Sequence, residues 1–182
     1  HGRAPAVATG FKRMSPERFV FCYQGDGDLA SIGLAETVHA ANRGEHISVI
    51  FINNSTYGMT GGQMAPTTLV GQSSTTTPGG RDPDKVGFPI RMAEMISGLE
   101  SPVFVARAAM NNPKNVMQAK KLIKKSFELQ MENKGYTFVE LLSSCPTNWN
   151  MTPPAAAEWM NDHTIKYFPL GVYKDVYHVM EE

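Results

Sequence analysis

Short, solid apolar runs alternate along the chain with longer mixed stretches, and this rhythm predicts strands and helices in turn. Phe19-Val20-Phe21-Cys22-Tyr23-Gln24 is an apolar, aromatic run that stops at Gly25 and reads as a buried strand. From Leu29 to Asn42 the residues Leu29, Ile32, Gly33, Ala35, Glu36, Val38, His39 and Ala40 suit a helix, stopped by Asn42-Arg43-Gly44. Ile47-Ser48-Val49-Ile50-Phe51-Ile52 is a second buried strand, closed by Asn53-Asn54. Strand, helix and strand in about 34 residues make a βαβ unit. The fold class is therefore α/β: a parallel sheet with helices on both faces. Pro102–Ala106 and Tyr136–Leu142 read as further strands. Between them Pro113 to Asn133 reads as a long helix, with Pro113 in its first turn and Val116, Ala119, Leu122, Ile123, Phe127 and Met131 on its apolar side.

The stretch from Asn53 to Pro89 breaks the rhythm, being rich in Gly, Ser, Thr and Pro. Loops of that length inside a compact domain are uncommon and usually functional. After Pro146 a helix is expected over Pro153 to His163, followed by Tyr167-Phe168-Pro169-Leu170-Gly171-Val172-Tyr173, read as a docked arm. This divides the chain into an α/β domain, residues 1–145, and a C-terminal extension, 146–182, packed on it or on a partner subunit. There is no internal repeat.

Composition narrows the picture only slightly. The 182 residues, 42% hydrophobic and 19% charged, suit one ordinary globular domain. Seventeen basic residues balance seventeen acidic ones, so no global charge favours nucleic acid or an anionic membrane. No apolar run approaches the ~18 residues of a membrane span. His1-Gly2-Arg3-Ala4-Pro5 carries neither a signal peptide's features nor an initiator Met, which suggests an internal piece or a processed product. Two cysteines, Cys22 and Cys145, fit a reducing interior, with the cytoplasm as the expected location.

The chemistry gathers where the strands end. Ligands of parallel α/β sheets sit outside the carboxyl ends of the strands. Asp26 follows the first strand and Asn53-Asn54 the second, so Asp26 and Asn54 are expected to converge. Gly25-Asp26-Gly27-Asp28 then opens a helix whose free backbone N–H groups favour phosphate. Oxygen donors without Cys or His point to a hard cation, and magnesium commonly shares its octahedron with a bound phosphate. On its own, Gly-Asp-Gly is also a common turn.

Gly25-Asp26-Gly27, 25 residues, then Asn53-Asn54 resembles the thiamine-diphosphate motif. Tyr57-Gly58-Met59-Thr60-Gly61-Gly62-Gln63 and Ala65-Pro66-Thr67-Thr68 are similar to the beta subunits of 2-oxoacid:ferredoxin oxidoreductases, as are Gly2-Arg3, Ala6 to Gly10, Ser144-Cys145-Pro146-Thr147-Asn148-Trp149 and Pro169 to Tyr173. The resemblance implies magnesium held by the Asp26 and Asn54 side chains and the Thr56 carbonyl. It places thiamine diphosphate against Gly25, Asp26, Gly27, Asp28, Leu29, Asn54, Thr56, Gly58, Met59 and Thr60, with His1 approaching it. It also implies Cys145 as one ligand of a [4Fe–4S] cluster whose other cysteines this sequence lacks, and an activating glutamate on a partner subunit. The activity implied is oxidative decarboxylation of a 2-oxoacid, branched-chain first, to an acyl-coenzyme A, with electrons passing to ferredoxin. Alpha- and gamma-type subunits would be partners. Gly61 stands where some archaeal members carry lysine, which leaves substrate preference open. A non-oxidative decarboxylase or carboligase, or a non-catalytic remnant, stays an alternative.

Other residues have plainer readings. Cys22 is expected in the core, and His39 and His46 at the surface or capping a helix. Lys114, Lys120, Lys121, Lys124 and Lys125 form a basic helix face, solvated before it is a ferredoxin-steering surface. Ser73 to Thr77 reads equally as a lid or a surface loop.

Overall fold

The computed structural model describes residues 1–177. In chain order it contains α1 (Ala4–Met14), β1 (Phe21–Gly25), a π-helical turn (Asp28–Ile32), α2 (Leu34–Asn42), β2 (Ser48–Asn53), α3 (Pro83–Val86), α4 (Met92–Ser97), β3 (Phe104–Ala109), α5 (Pro113–Met131), β4 (Thr137–Leu142) and α6 (Pro146–Trp149). There follow α7 (Pro153–Trp159), a second π-helical turn (Met160–Thr164), α8 (Ile165–Tyr167) and β5 (Gly171–Asp175). The sheet order is β1-β2-β4-β3-β5. The first four strands run parallel and β5 pairs antiparallel to β3. Thus the tail's described part returns to the sheet as an edge strand; residues 178–182 of the expected extension lie outside the described residues.

The three inner strands carry the solid apolar runs because both of their faces are covered. On one side α1, α2 and α4 pack Ala8, Ala40, Ala41, Met92 and Ile96 against Cys22, Val49, Phe51, Val105 and Phe138. On the other, α5 packs Ala119, Leu122 and Leu129 against Ile50, Phe104, Ala106, Val139 and Leu141. Helices on both faces are what the alternation of runs predicts.

Four local expectations need correction. β1 is an edge strand, not a buried one: Cys22 and Gln24 point inward while Phe21 and Tyr23 are exposed, Phe21 meeting only the Phe19 and Phe127 rings among the described aromatic residues. The helix expected from Leu29 is broken into a π-helical turn and α2 at Gly33. There Gly2 comes so close that a Cβ on Gly33 would lie 2.6 Å from its carbonyl oxygen. Gly33→Ala is therefore expected to cost about 1–3 kcal/mol through backbone overpacking, read as a lower thermal unfolding midpoint. α5 turns Ala119 and Leu122 inward as expected, with Ile123 and Phe127 packed beside them, but its buried face also takes in Ser126, Leu129 and Gln130 while Met131 is exposed. Ser126, Gln130, Ser48 and Thr137 satisfy one another in a buried hydrogen-bonded layer, at 2.7 Å between the Ser126 and Thr137 hydroxyls and 3.0 Å from Gln130 Nε2 to Ser48 Oγ. Lastly, α1 and α4 form where no helix is expected.

Candidate functional site

β1 and β2 are parallel neighbours in register Gly25 to Ile52, so both chains leave the sheet at the same edge. Asp26 follows β1 and is buried. Its Oδ1 accepts from Gly27 N at 2.9 Å. Its Oδ2 accepts from Thr56 N at 3.1 Å and from the Thr67 hydroxyl at 2.7 Å. Asn54 Oδ1 reaches the same Thr56 N at 3.3 Å. One backbone N–H thus lies within reach of both side chains, so the structure brings together the three residues expected to hold a metal.

Burial is the main influence on Asp26 and pushes its carboxyl up to about 6, although the Thr67 hydroxyl and the Gly27 and Thr56 amides pull the other way. A buried carboxylate that needs compensation suits a cation. Among the described residues no cluster of three or more His, Cys, Asp and Glu could hold a metal. An ion at this edge would instead draw on one carboxylate with amide and carbonyl oxygens, a donor set that suits magnesium. Among the described residues Ser55 Oγ, buried at the same turn, has no hydrogen-bond partner, and no side chain caps the π-helical turn after Gly27. These free polar groups fit a diphosphate. Thr67 was legible only as part of a family match, without a role. Thr67→Val is expected to raise the magnesium needed for half-saturation several-fold, since Asp26 then holds its proton more tightly; a magnesium titration reads it.

The loop after Asn54 folds back on itself. Tyr57 N donates to Gln63 O at 3.0 Å, and Gln63 Nε2 donates to Thr60 O at 3.0 Å. Gly62 has φ +81° and packs so closely that a Cβ would meet the Asn148 side chain at 3.1 Å. Asn148 Nδ2 donates to Gly58 O at 2.9 Å and to Cys145 Sγ at 3.2 Å, and Trp149 Nε1 donates to Asn54 O at 3.2 Å. The Ser-Cys-Pro-Thr-Asn-Trp segment is thereby bound to the loop that follows Asn54, bringing Cys145 next to Gly58. Met59 is fully exposed and Thr60 lies at the surface beside it. Ser73 to Thr77 form a turn that packs on this loop through Thr75 N to Gly62 O at 2.9 Å.

Asp28, Leu29 and His1 are placed differently. The Asp28 carboxylate accepts from Gly2 N and, at 3.1 Å, from Gln24 Nε2, with His1 Nδ1 at 3.6 Å. It pins the N-terminal segment, and His1 stands exposed beside it. Leu29 has its side chain in the core, leaving only its backbone for a ligand. Cys22 is buried as expected, and burial, with help from Asp28, pushes its thiol up to about 12. Of the lysine face, Lys125 is already paired with Asp175.

A family model described as the thiamine pyrophosphate enzyme, C-terminal TPP binding domain, matches residues 1–141. The chain belongs to that family. This thiamine pyrophosphate enzyme domain is 50% identical over 175 residues to the ketoisovalerate oxidoreductase subunit VorA of Methanothermobacter marburgensis, covering 96% of the chain and 37% of the relative. It is 34% identical over 192 residues to the 2-oxoglutarate synthase subunit KorB of Archaeoglobus fulgidus, covering 100% of the chain and 67% of that relative. A solved 2-oxoglutarate:ferredoxin oxidoreductase from Magnetococcus marinus, with 2-oxoglutarate, coenzyme A and succinyl-CoA bound, superposes with a TM-score of 0.75 at 28% identity. That match covers 98% of this chain and 64% of the other. The thiamine pyrophosphate enzyme domain therefore spans little more than a third of its ketoisovalerate relative.

Proposed function

We propose that this chain is the cofactor-binding part of the beta subunit of a 2-oxoacid:ferredoxin oxidoreductase. It anchors thiamine diphosphate through magnesium held by Asp26, Asn54 and the Thr56 carbonyl. The observation that carries this reading is the convergence of the Asp26 and Asn54 oxygens on Thr56 N. Bound there, the cofactor supplies the nucleophilic carbon and electron sink for decarboxylation. The chain's own residues hold the cation, offer backbone N–H groups to the diphosphate and line the cofactor with Gly58, Met59 and Thr60. Cys145 serves a [4Fe–4S] cluster whose remaining ligands come from outside these residues, since Cys22 is committed to the core. Alpha- and gamma-type subunits complete the site; the uncovered apolar face at Phe19, Phe21 and Tyr23 supports a multi-subunit setting. Among the described residues no helix is long and apolar enough to cross a membrane, and both cysteines are free. We place its work in the reducing cytoplasm, and the printed name of the solved relative, a 2-oxoglutarate:ferredoxin oxidoreductase, supports ferredoxin as electron acceptor.

The substrate is a branched-chain 2-oxoacid, a choice supported by 50% identity to the ketoisovalerate relative against 36% to a 2-oxoglutarate one. The test is coenzyme A-dependent reduction of ferredoxin by the complete enzyme with 2-ketoisovalerate, 2-oxoglutarate and pyruvate compared by kcat/KM. The highest value is expected for 2-ketoisovalerate. Release of carbon dioxide without ferredoxin reduction would instead assign a non-oxidative decarboxylase.

A further inference from the structure

Asn53, the first asparagine of the pair, does not face the metal edge. Its Nδ2 donates to Glu140 Oε1 at 2.8 Å, and its Oδ1 accepts from Ser55 N at 3.2 Å. Ser55 is held at φ +59°, a left-handed conformation that non-glycine residues adopt rarely. That turn directs Asn54 and Thr56 toward Asp26. Glu140 sits on the central strand β4, opposite Phe51 of β2 and Arg107 of β3, and is fully buried. Its Oε2 accepts from Ala93 N at 3.3 Å and from Arg107 Nε at 2.9 Å. Among the described residues every hydrogen bond to this carboxylate comes from a donor: Asn53 Nδ2, Ala93 N and Arg107.

We propose that Glu140 is a positioning residue for the metal-binding turn. Its carboxylate decides which end of the Asn53 amide faces Ser55, and through the Ser55 turn it sets where Asn54 and Thr56 present their oxygens. The inference rests on the reading of Asp26, Asn54 and Thr56 as metal ligands. The logic is one of hydrogen-bond polarity. An amide can turn either end outward, and nothing in Asn53 itself chooses. Because the Glu140 carboxylate, paired with Arg107, accepts on both oxygens, Asn53 shows it the NH2 group, which leaves the carbonyl for Ser55 N–H. Core stability alone is a poor reason to keep such a group. Desolvating a buried ion pair is expensive, and well-packed apolar replacements are often as stable.

The same polarity supplies a test with a built-in rescue. In Glu140→Gln the new amide keeps its carbonyl on Arg107 and Ala93 N and turns its NH2 toward Asn53, donor against donor. Whichever way Asn53 then rotates, one buried N–H loses its acceptor. Adding Asn53→Asp restores the pattern in inverted form. The new carboxylate accepts from both the amide at 140 and Ser55 N–H, and the buried charge is conserved.

The experiment is a magnesium titration of thiamine diphosphate binding to the complete, cofactor-stripped enzyme, followed by calorimetry. Glu140→Gln is expected to raise the half-saturating magnesium concentration about tenfold, the cost of one unmade buried hydrogen bond. Glu140→Gln with Asn53→Asp is expected within about threefold of wild type, as matched polarity implies. A double variant no better than Glu140→Gln overturns the proposal. If Glu140→Gln does not assemble, recovery of assembled, cofactor-binding enzyme in the double variant supports it and continued failure overturns it. Asp26→Ala, titrated alongside, separates the two readings. Binding retained there removes the metal site and this inference with it. Binding lost there while Glu140→Gln matches wild type overturns the inference alone.

Discussion

Asp26→Ala is expected to abolish magnesium-dependent thiamine diphosphate binding in the assembled enzyme, weakening it by about a thousandfold, or roughly 4 kcal/mol. Of the three proposed ligands Asp26 supplies the charge; Asn54 and the Thr56 carbonyl are neutral. Without it the cation faces only dipoles and keeps its water. Calorimetry of the variant decides the matter, and wild-type affinity there would remove the site assignment. A pH dependence accompanies this. Burial raises the Asp26 carboxyl to about 6, so below that value a proton would have to leave before magnesium could enter. The magnesium requirement should climb about tenfold per pH unit below about 6 and stay level above it. For stability the sign is the reverse of a salt-bridged acid. This carboxyl's favourable contribution to the empty fold is fully present below its unfolded value near 4 and is lost as pH rises through about 6. Bound cation would offset that loss at neutral pH.

The second large effect is expected at Arg107. Its guanidinium is fully buried and binds Glu94 in bidentate fashion, at 3.1 Å and 2.6 Å, as well as Glu140. It also donates to Pro169 O at 3.1 Å and to the Tyr173 hydroxyl. Burial opposes its charge, but Glu140 and Glu94 more than compensate and hold it protonated. Arg107→Ala strands the buried Glu140 carboxylate and should cost about 3–5 kcal/mol. In a domain of this size that lowers the unfolding midpoint by about 10 °C. Arg107→Lys should recover little, because an ammonium cannot reproduce the two-pronged contact with Glu94. With the guanidinium gone, Glu140 is raised further by burial and Glu94 loses the partner that holds it below its ordinary range. The deficit is therefore greatest at neutral pH and narrows as acid neutralises the stranded charge. A deficit unchanged between about pH 4 and 8 would show that lost packing, rather than unpaired charge, is responsible.

The sequence reading succeeded where one local pattern had one physical cause. Buried on both faces, β2, β3 and β4 had to be mostly apolar, interrupted at Arg107 and Glu140, and the nearness of Asp26 and Asn54 at one sheet edge follows from where β1 and β2 end. It fell short where the cause lay across the sheet. Phe21 and Tyr23 look like core residues until β1 proves to be an edge. Ser126 and Gln130 look like surface residues on α5 until Ser48 and Thr137 arrive to satisfy them. Arg107, Glu140 and Asn53 are separated by 33 and 87 residues along the chain, and no spacing rule links them. Thr67 carries no marker of its own, since a threonine in a polar loop becomes a carboxylate's partner only once folding brings it to Asp26.

The placement of β5 sets an order in time. Arg107 is sealed by the Phe168 and Tyr173 rings, 5.2 Å and 5.0 Å from its guanidinium carbon, and those rings belong to the segment that follows β1, β2, β3 and β4 along the chain. A ribosome adding ~5–20 residues per second needs a few seconds to pass from Leu142 to Tyr173. During that interval the four parallel strands can pair while the Arg107–Glu140 charges are still wetted. Docking of the Phe168 to Tyr173 segment then expels the water. That order lets the parallel strands assemble around hydrated ions, deferring the steepest desolvation until the surrounding walls are already in place.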